Sequence, residues 1–136
     1  MKTTMLTAAL TTFLIAGLSI TCAQAAITVK DDGGQTVTVA KPALRIISLA
    51  PSVTELLFAA GGGSRVVGAV NYSDYPEAAK RIPRIGSNRE IDMEMLISLK
   101  PDLIVAWRHN SSERQIEMVR QLGVPVFQSD PQTLDS

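Results

Sequence analysis

Apolar positions fall into distinct patterns along the chain. From Met5 to Ile20 the residues are uncharged and rich in Leu, Ala and Thr. Beyond Ala26 the pattern changes to alternation, with Ile27-Thr28-Val29-Lys30 and Gln35-Thr36-Val37-Thr38-Val39 flanking Asp31-Asp32-Gly33-Gly34. That arrangement predicts a β-hairpin with an Asp/Gly turn, closed by Pro42. Further on come short unbroken apolar runs: Arg45 to Leu49, Val66 to Val70, Leu103 to Ala106 and Val124 to Phe127. Runs of this length bounded by turn residues predict buried strands, the last of them at an edge if Pro125 lies within it.

Between those runs the spacing becomes helical. Ser52-Val53-Thr54-Glu55 has the capping-box spacing and predicts a helix beginning at Ser52, with Leu56, Leu57 and Ala60 on one face and a stop at Gly61-Gly62-Gly63. The polar stretch Asn71 to Arg84, with two prolines, reads as a loop holding one helical turn near Glu77 to Lys80. Asp92 is placed to cap a helix in which Met93, Leu96 and Ile97 lie on one side and which ends at Lys100-Pro101. Ser112-Glu113-Arg114-Gln115 repeats the capping spacing ahead of Ile116, Val119 and Leu122, with Gly123 as the stop. Strands alternating with helices imply right-handed crossovers. The expected fold is a Rossmann-like α/β lobe, a central parallel sheet of about four strands covered on both faces by helices and preceded by a hairpin.

Charge and composition change the reading of the first segment. Lys2, the uncharged stretch after it and Ala23-Gln24-Ala25 form the three parts of a cleavable secretion signal over residues 1–25. The apolar stretch is shorter than the roughly 20 residues a membrane-spanning helix needs. Ser19-Ile20-Thr21 makes a poor lipidation signal before Cys22, so the chain is expected to be exported rather than anchored. Cleavage after Ala25 removes the single cysteine, which leaves residues 26–136 as one domain without disulfides or thiolate metal sites. Thirteen basic and thirteen acidic residues become 12 and 13 once Lys2 is removed, a net charge of −1. That balance offers no footprint for nucleic acid or anionic lipid.

In an open parallel sheet ligands bind beyond the carboxyl ends of the strands. The positions just after the predicted strands are Pro51-Ser52, Asn71 to Tyr75, and Trp107 to Asn110. Tyr72 and Trp107 there suit a flat apolar ligand held by stacking, although aromatic rings also serve to seal the end of a core. Tyr75, before Pro76, reads as a turn residue. Catalytic signals are weak. His109 is the only histidine, with no second imidazole to build a metal site, and is expected to be solvated. Asp31 and Asp32 sit where aspartate is favoured for turn hydrogen bonds. Gly61 to Gly63 follows a helix, whereas a phosphate loop follows a strand.

Three segments, Arg45-Ile46-Ile47-Ser48-Leu49-Ala50-Pro51-Ser52-Val53-Thr54-Glu55, Tyr72-Ser73-Asp74-Tyr75-Pro76 and Leu99-Lys100-Pro101-Asp102-Leu103-Ile104-Val105-Ala106-Trp107-Arg108, resemble the periplasmic substrate-binding proteins of ABC importers, most closely the cobalamin group, relatives of the siderophore and haem binders. The resemblance implies two α/β lobes joined by one long helix, with the ligand clamped between them. This chain would carry the amino-terminal lobe alone, in residues 26–136, as a fragment or prematurely ended reading frame that stops at Leu134-Asp135-Ser136, about where the bridging helix would begin. Carried over by position, Pro51, Ser52, Tyr72, Asn88, Trp107 and Arg108 become ligand-binding residues, and Glu94 an acidic contact to the inner-membrane permease. At Asn88 the cobalamin group usually presents a tryptophan, so this position departs from its pattern. The implied role is capture of a corrinoid in the periplasm for import, with cobalamin as cargo, no cofactor and no reaction. Haem or a ferric siderophore is the alternative cargo, with Tyr72 or His109 as an axial ligand. An envelope interaction protein, or a small hydrolase using Asp74 or His109, would be different classes of function.

Overall fold

A computed structural model describes residues 25–109 and 111–131. Residues 1–24 of the expected signal, Asn110 and the last five residues lie outside them. Two sheets are formed. Strands β1 (Ile27–Lys30) and β2 (Thr36–Val39) pair antiparallel around the Asp/Gly turn, with Gly34 at φ 78°. The second sheet is wholly parallel and comprises β3 (Ile46–Ser48), β4 (Val66–Ala69), β5 (Leu103–Trp107) and β6 (Val126–Ser129) in the order β4-β3-β5-β6. Beyond β4 the chain returns alongside it at Arg84, which bridges Ala69 in parallel, and Ile85 N–H donates to Ala69 O at 3.0 Å.

Helix α1 (Pro51–Ala59) follows β3, whereas α2 (Met93–Ser98) and α3 (Glu113–Arg120) flank β5 in sequence. Two buried clusters place them on opposite faces. Leu96, Ile116 and Val119 pack with Ile47, Leu49, Val70, Ile104 and Val126 on one side. Val53 packs with Ile46, Ala50 and Val105 on the other. Full burial of each such aliphatic side chain contributes about 1.5–3 kcal/mol, so the face carrying α2 and α3 holds most of the core energy. At the amino ends, Asp102 accepts from the Leu44 and Arg45 amides, both at 2.9 Å, while the Arg45 guanidinium caps Leu99 O. The Lys-Pro-Asp-Leu segment therefore ties β5 to β3 through its aspartate.

Several sequence expectations need correction. Helix α1 starts at Pro51, one residue early, and its cap is Ala50 with no side-chain bond, so the Ser52–Glu55 capping box is not formed. Proline at the first helical position has no N–H to satisfy and is already in the helical φ range. The helix does stop at the glycines, where Gly61 (φ 81°) and Gly62 donate to Phe58 O and Leu57 O in a Schellman pattern. Strand β6 begins after Pro125, whose carbonyl instead accepts from Ile104 N. Ile97 and Leu122 are exposed, and the buried places on α3 go to Gln115, Ile116 and Val119. Leu56 is 45% exposed and Ala60 is also exposed. Both border an apolar groove of about 290 Å³ floored by Leu103, Val105 and Phe127. Among the described residues the α1 face of the sheet is thus only partly covered, because α1 is the one described helix on that side.

Candidate functional site

Parallel register fixes which loops meet. Ser48 lies opposite both Ala69 and Val105, and Trp107 opposite Ser129, so β3, β4, β5 and β6 end at the same edge of the sheet. The chain continues from that edge at Pro51-Ser52, Asn71-Tyr72, Arg108-His109 and Asp130. A fifth segment joins them, since Asn71 N–H donates to Gly86 O at 2.7 Å and Ser87-Asn88 follow directly. Asn88, Tyr72, Ser52, Trp107 and Arg108 therefore stand in a row along the carboxyl edge. The strand order reverses at β3, with α1 and α3 on opposite faces, which opens a crevice beyond β3 and β5. Pro51-Ser52 and Trp107-Arg108 border it.

The chemistry of the row differs along its length. Tyr72 is 83% exposed and has a left-handed backbone, φ 66°. A bulky residue adopts that conformation only where its neighbours hold it. Asn71 is anchored to Gly86 as above, and the Ser73 carbonyl accepts from Arg84 Nη2 at 2.9 Å. Arg84 also reaches Asp74 Oδ1 at 3.0 Å and the Ala79 and Ile82 carbonyls. One guanidinium thus gathers the loop that carries Tyr72. Trp107 is half-buried, with part of its ring on the α1-side cluster and the rest open, so packing and ligand contact both have surface available. Ser52 is exposed in the first turn of α1, while Pro51 and Asn88 are half-buried.

Arg108 closes the other end. Its guanidinium bonds Asp32 O at 3.4 Å and lies 3.9 Å from Asp130 Oδ2, turned toward the hairpin. His109 is exposed, as expected, and its Nε2 also lies 2.9 Å from Asp130 Oδ2. Asp130 is buried and its amide donates to Asp32 Oδ2. The Asp31 carboxylate does make the expected turn bond, to Gln35 N at 2.8 Å, and it also accepts from Gln128 N. Both hairpin aspartates therefore cover the outer edge of β6. Asp130 was legible by the same rule that found Tyr72, a residue just after a strand, whereas Arg84 carried no signal within a polar loop.

Glu94 stands apart. It is exposed in the first turn of α2, whose cap Asp92 accepts from Met95 N at 2.9 Å. Asp92 N–H donates to Ile85 O, which puts that turn on the outer flank beyond β4. Two hollows lie toward the ends of the row. One of about 440 Å³ is lined by Asn71, Gly86, Ser87 and Glu90, and a polar one of about 650 Å³ by Arg108, His109, Gln35 and Gln128. Between them the edge presents Tyr72 and Ser52 openly.

Residues 46–134, well over half of the chain, match the sequence profile of a periplasmic binding protein family. A vitamin B12-binding protein of Yersinia pestis is 47% identical over 96 residues, covering 71% of this chain and 34% of that protein. The chain thus spans about a third of the length of that relative. The crystal structure of the periplasmic vitamin B12 binding protein BtuF of Vibrio cholerae superposes with TM-score 0.65 at 45% identity, covering 69% of this chain and 37% of that one. A periplasmic heme-binding protein from Roseiflexus, RhuT, superposes with TM-score 0.58 at 34% identity, over 63% of this chain and 33% of that one.

Proposed function

The chain belongs to the periplasmic binding protein family, and from that premise we propose that it captures cobalamin or a related corrinoid at the carboxyl edge of its parallel sheet. The observation that carries this reading is the row Asn88–Tyr72–Ser52–Trp107–Arg108 on one edge, in a chain 45–47% identical over the matched region to two vitamin B12 binders. A corrin is broad, largely flat and fringed with amides. Tyr72 and the open part of Trp107 provide apolar surface for its face, and Ser52, Asn88 and Arg108 provide hydrogen-bonding groups for its rim.

In this reading residues 1–25 direct export to the periplasm and residues 26–136 form the amino-terminal lobe of a two-lobed binder. The partly covered sheet face fits a lobe that packs against more protein. Glu94, exposed on the flank and clear of the ligand row, is a docking contact for the inner-membrane permease. Its replacement, Glu94→Ala, weakens permease association and leaves ligand affinity unchanged.

Trp107 is the only tryptophan, so its emission reports on the row. Titration with cyanocobalamin, corrected for absorbance with a free indole standard, produces saturable quenching at about tens of micromolar, the range of a weak one-walled site. No saturable change with cyanocobalamin overturns the cobalamin reading. Saturation with haemin alone moves the assignment to haem, which the heme-binding relative favours.

A further inference from the structure

Three hydroxyls lie buried beneath the ligand row. Ser48, at the end of β3, Thr54, in the second turn of α1, and Ser73, just after Tyr72, are each at most 1% exposed. Thr54 Oγ1 stands 2.8 Å from Ser48 Oγ and 3.1 Å from Ser73 Oγ, and Ser48 Oγ donates to Ala50 O at 3.0 Å. Since each hydroxyl both donates and accepts, the three form one continuous line ending on a carbonyl. Burying hydroxyls costs free energy unless they are paired, and Thr54 occupies a core-facing position of α1 beside Val53 that an apolar side chain would fill without that cost. What the line adds is a side-chain tie that reaches Ser73 in the Tyr72 loop, beyond the backbone bonds from Val70 N–H to Ser48 O at 3.2 Å and from Thr54 N–H to Ala50 O at 3.0 Å.

Two of those segments carry the ligand row. Thr54 belongs to the helix that begins with Pro51-Ser52, and Ser73 adjoins Tyr72. The Tyr72 ring is open to solvent, so its direction is set by its backbone, anchored through Asn71 to Gly86 and through Ser73 to Arg84 and Thr54. Of these anchors, Thr54 alone joins the Tyr72 loop to the Ser52 side of the crevice. We propose that the Ser48–Thr54–Ser73 hydroxyl line is a positioning device that fixes the Tyr72 wall relative to the Pro51-Ser52 wall and so preorganises the ligand face. Its effect on cobalamin affinity rests on the functional reading above; its effect on the order of the loop does not.

Thr54→Val keeps the shape and removes the link, leaving Ser73 Oγ without its Thr54 partner. Amide hydrogen exchange at Tyr72, Ser73 and Asp74 rises about tenfold, the usual effect of one lost buried hydrogen bond, while α2 and α3 keep their protection. Cyanocobalamin affinity at equal folded fraction falls by a similar factor. Thr54→Ser, which restores the hydroxyl without the methyl group, recovers both readouts, and Ser73→Ala reproduces the loss from the loop side with the helix intact. Unchanged exchange at residues 72–74 in both Thr54→Val and Ser73→Ala overturns the proposal. So does a Thr54→Ser chain as impaired as Thr54→Val, since restoring the hydroxyl would then not restore the order of the loop. Should the unmodified chain show no cyanocobalamin binding, the cobalamin reading fails and the exchange data still decide the positioning role.

Discussion

At the scale of single residues, backbone conformation decides what the proposed ligand row presents. Tyr72 holds φ 66° with an aromatic side chain, an arrangement that costs a non-glycine residue about 1–2 kcal/mol. Removing the ring while relieving the backbone separates the two effects. Tyr72→Gly is therefore about 1 kcal/mol more stable to urea than Tyr72→Ala, and both variants lose cyanocobalamin affinity. Gly86, at φ 100°, lies where an added Cβ would collide with the Glu90 carbonyl oxygen. Gly86→Ala destabilises the fold by about 2 kcal/mol in equilibrium unfolding and displaces Asn71, which donates to Gly86 O. The placement of Tyr72 and Trp107 was legible because it depends only on strand ends, and strand ends follow from short apolar runs. The left-handed turn at Tyr72 and the buried partners of Thr54 were not, since both depend on chain segments distant in sequence.

Secondary elements followed the sequence where local chemistry governs them. The hairpin, the glycine stop after α1 and the Asp92 and Ser112 caps all rest on residues within a few positions of one another. The misread start of α1 has the same local origin, two competing signals at adjacent residues of which proline prevailed. The caps give a direct contrast. Asp92→Ala lowers stability by about 1 kcal/mol, the usual value of a lost cap, whereas Ser52→Ala stays within about 0.5 kcal/mol in thermal unfolding. A loss at Ser52 as large as that at Asp92 would restore the capping box. Hairpin docking lay beyond local reading, because the Asp31 and Asp32 partners are nearly a hundred residues away on and after β6. Asp32→Ala leaves the Asp130 amide without its side-chain partner and costs about 1–2 kcal/mol in the same assay.

Across the whole molecule the decisive feature is strand order. Alternating strands and helices predicted a parallel sheet, but nothing local distinguishes β4-β3-β5-β6 from other orders, and it is this order that puts α1, among the described α-helices, alone on one face. Leu56, placed by its spacing on one helix face with Leu57 and Ala60, consequently borders an open apolar groove. Leu56→Lys is accordingly tolerated within about 0.5 kcal/mol and reduces the binding of an apolar fluorescent dye to the chain. The same order brings five loop segments to one edge, which is the physical basis for assigning ligand capture there. Amide chemical shifts of the isotopically labelled chain, followed as cyanocobalamin is added, test that assignment most directly. Shifts concentrated at residues 52–53, 71–73, 86–88 and 107–108 are the predicted result; shifts confined to the amino ends of the strands or to the groove beside Leu56, or none at saturating ligand, would contradict it.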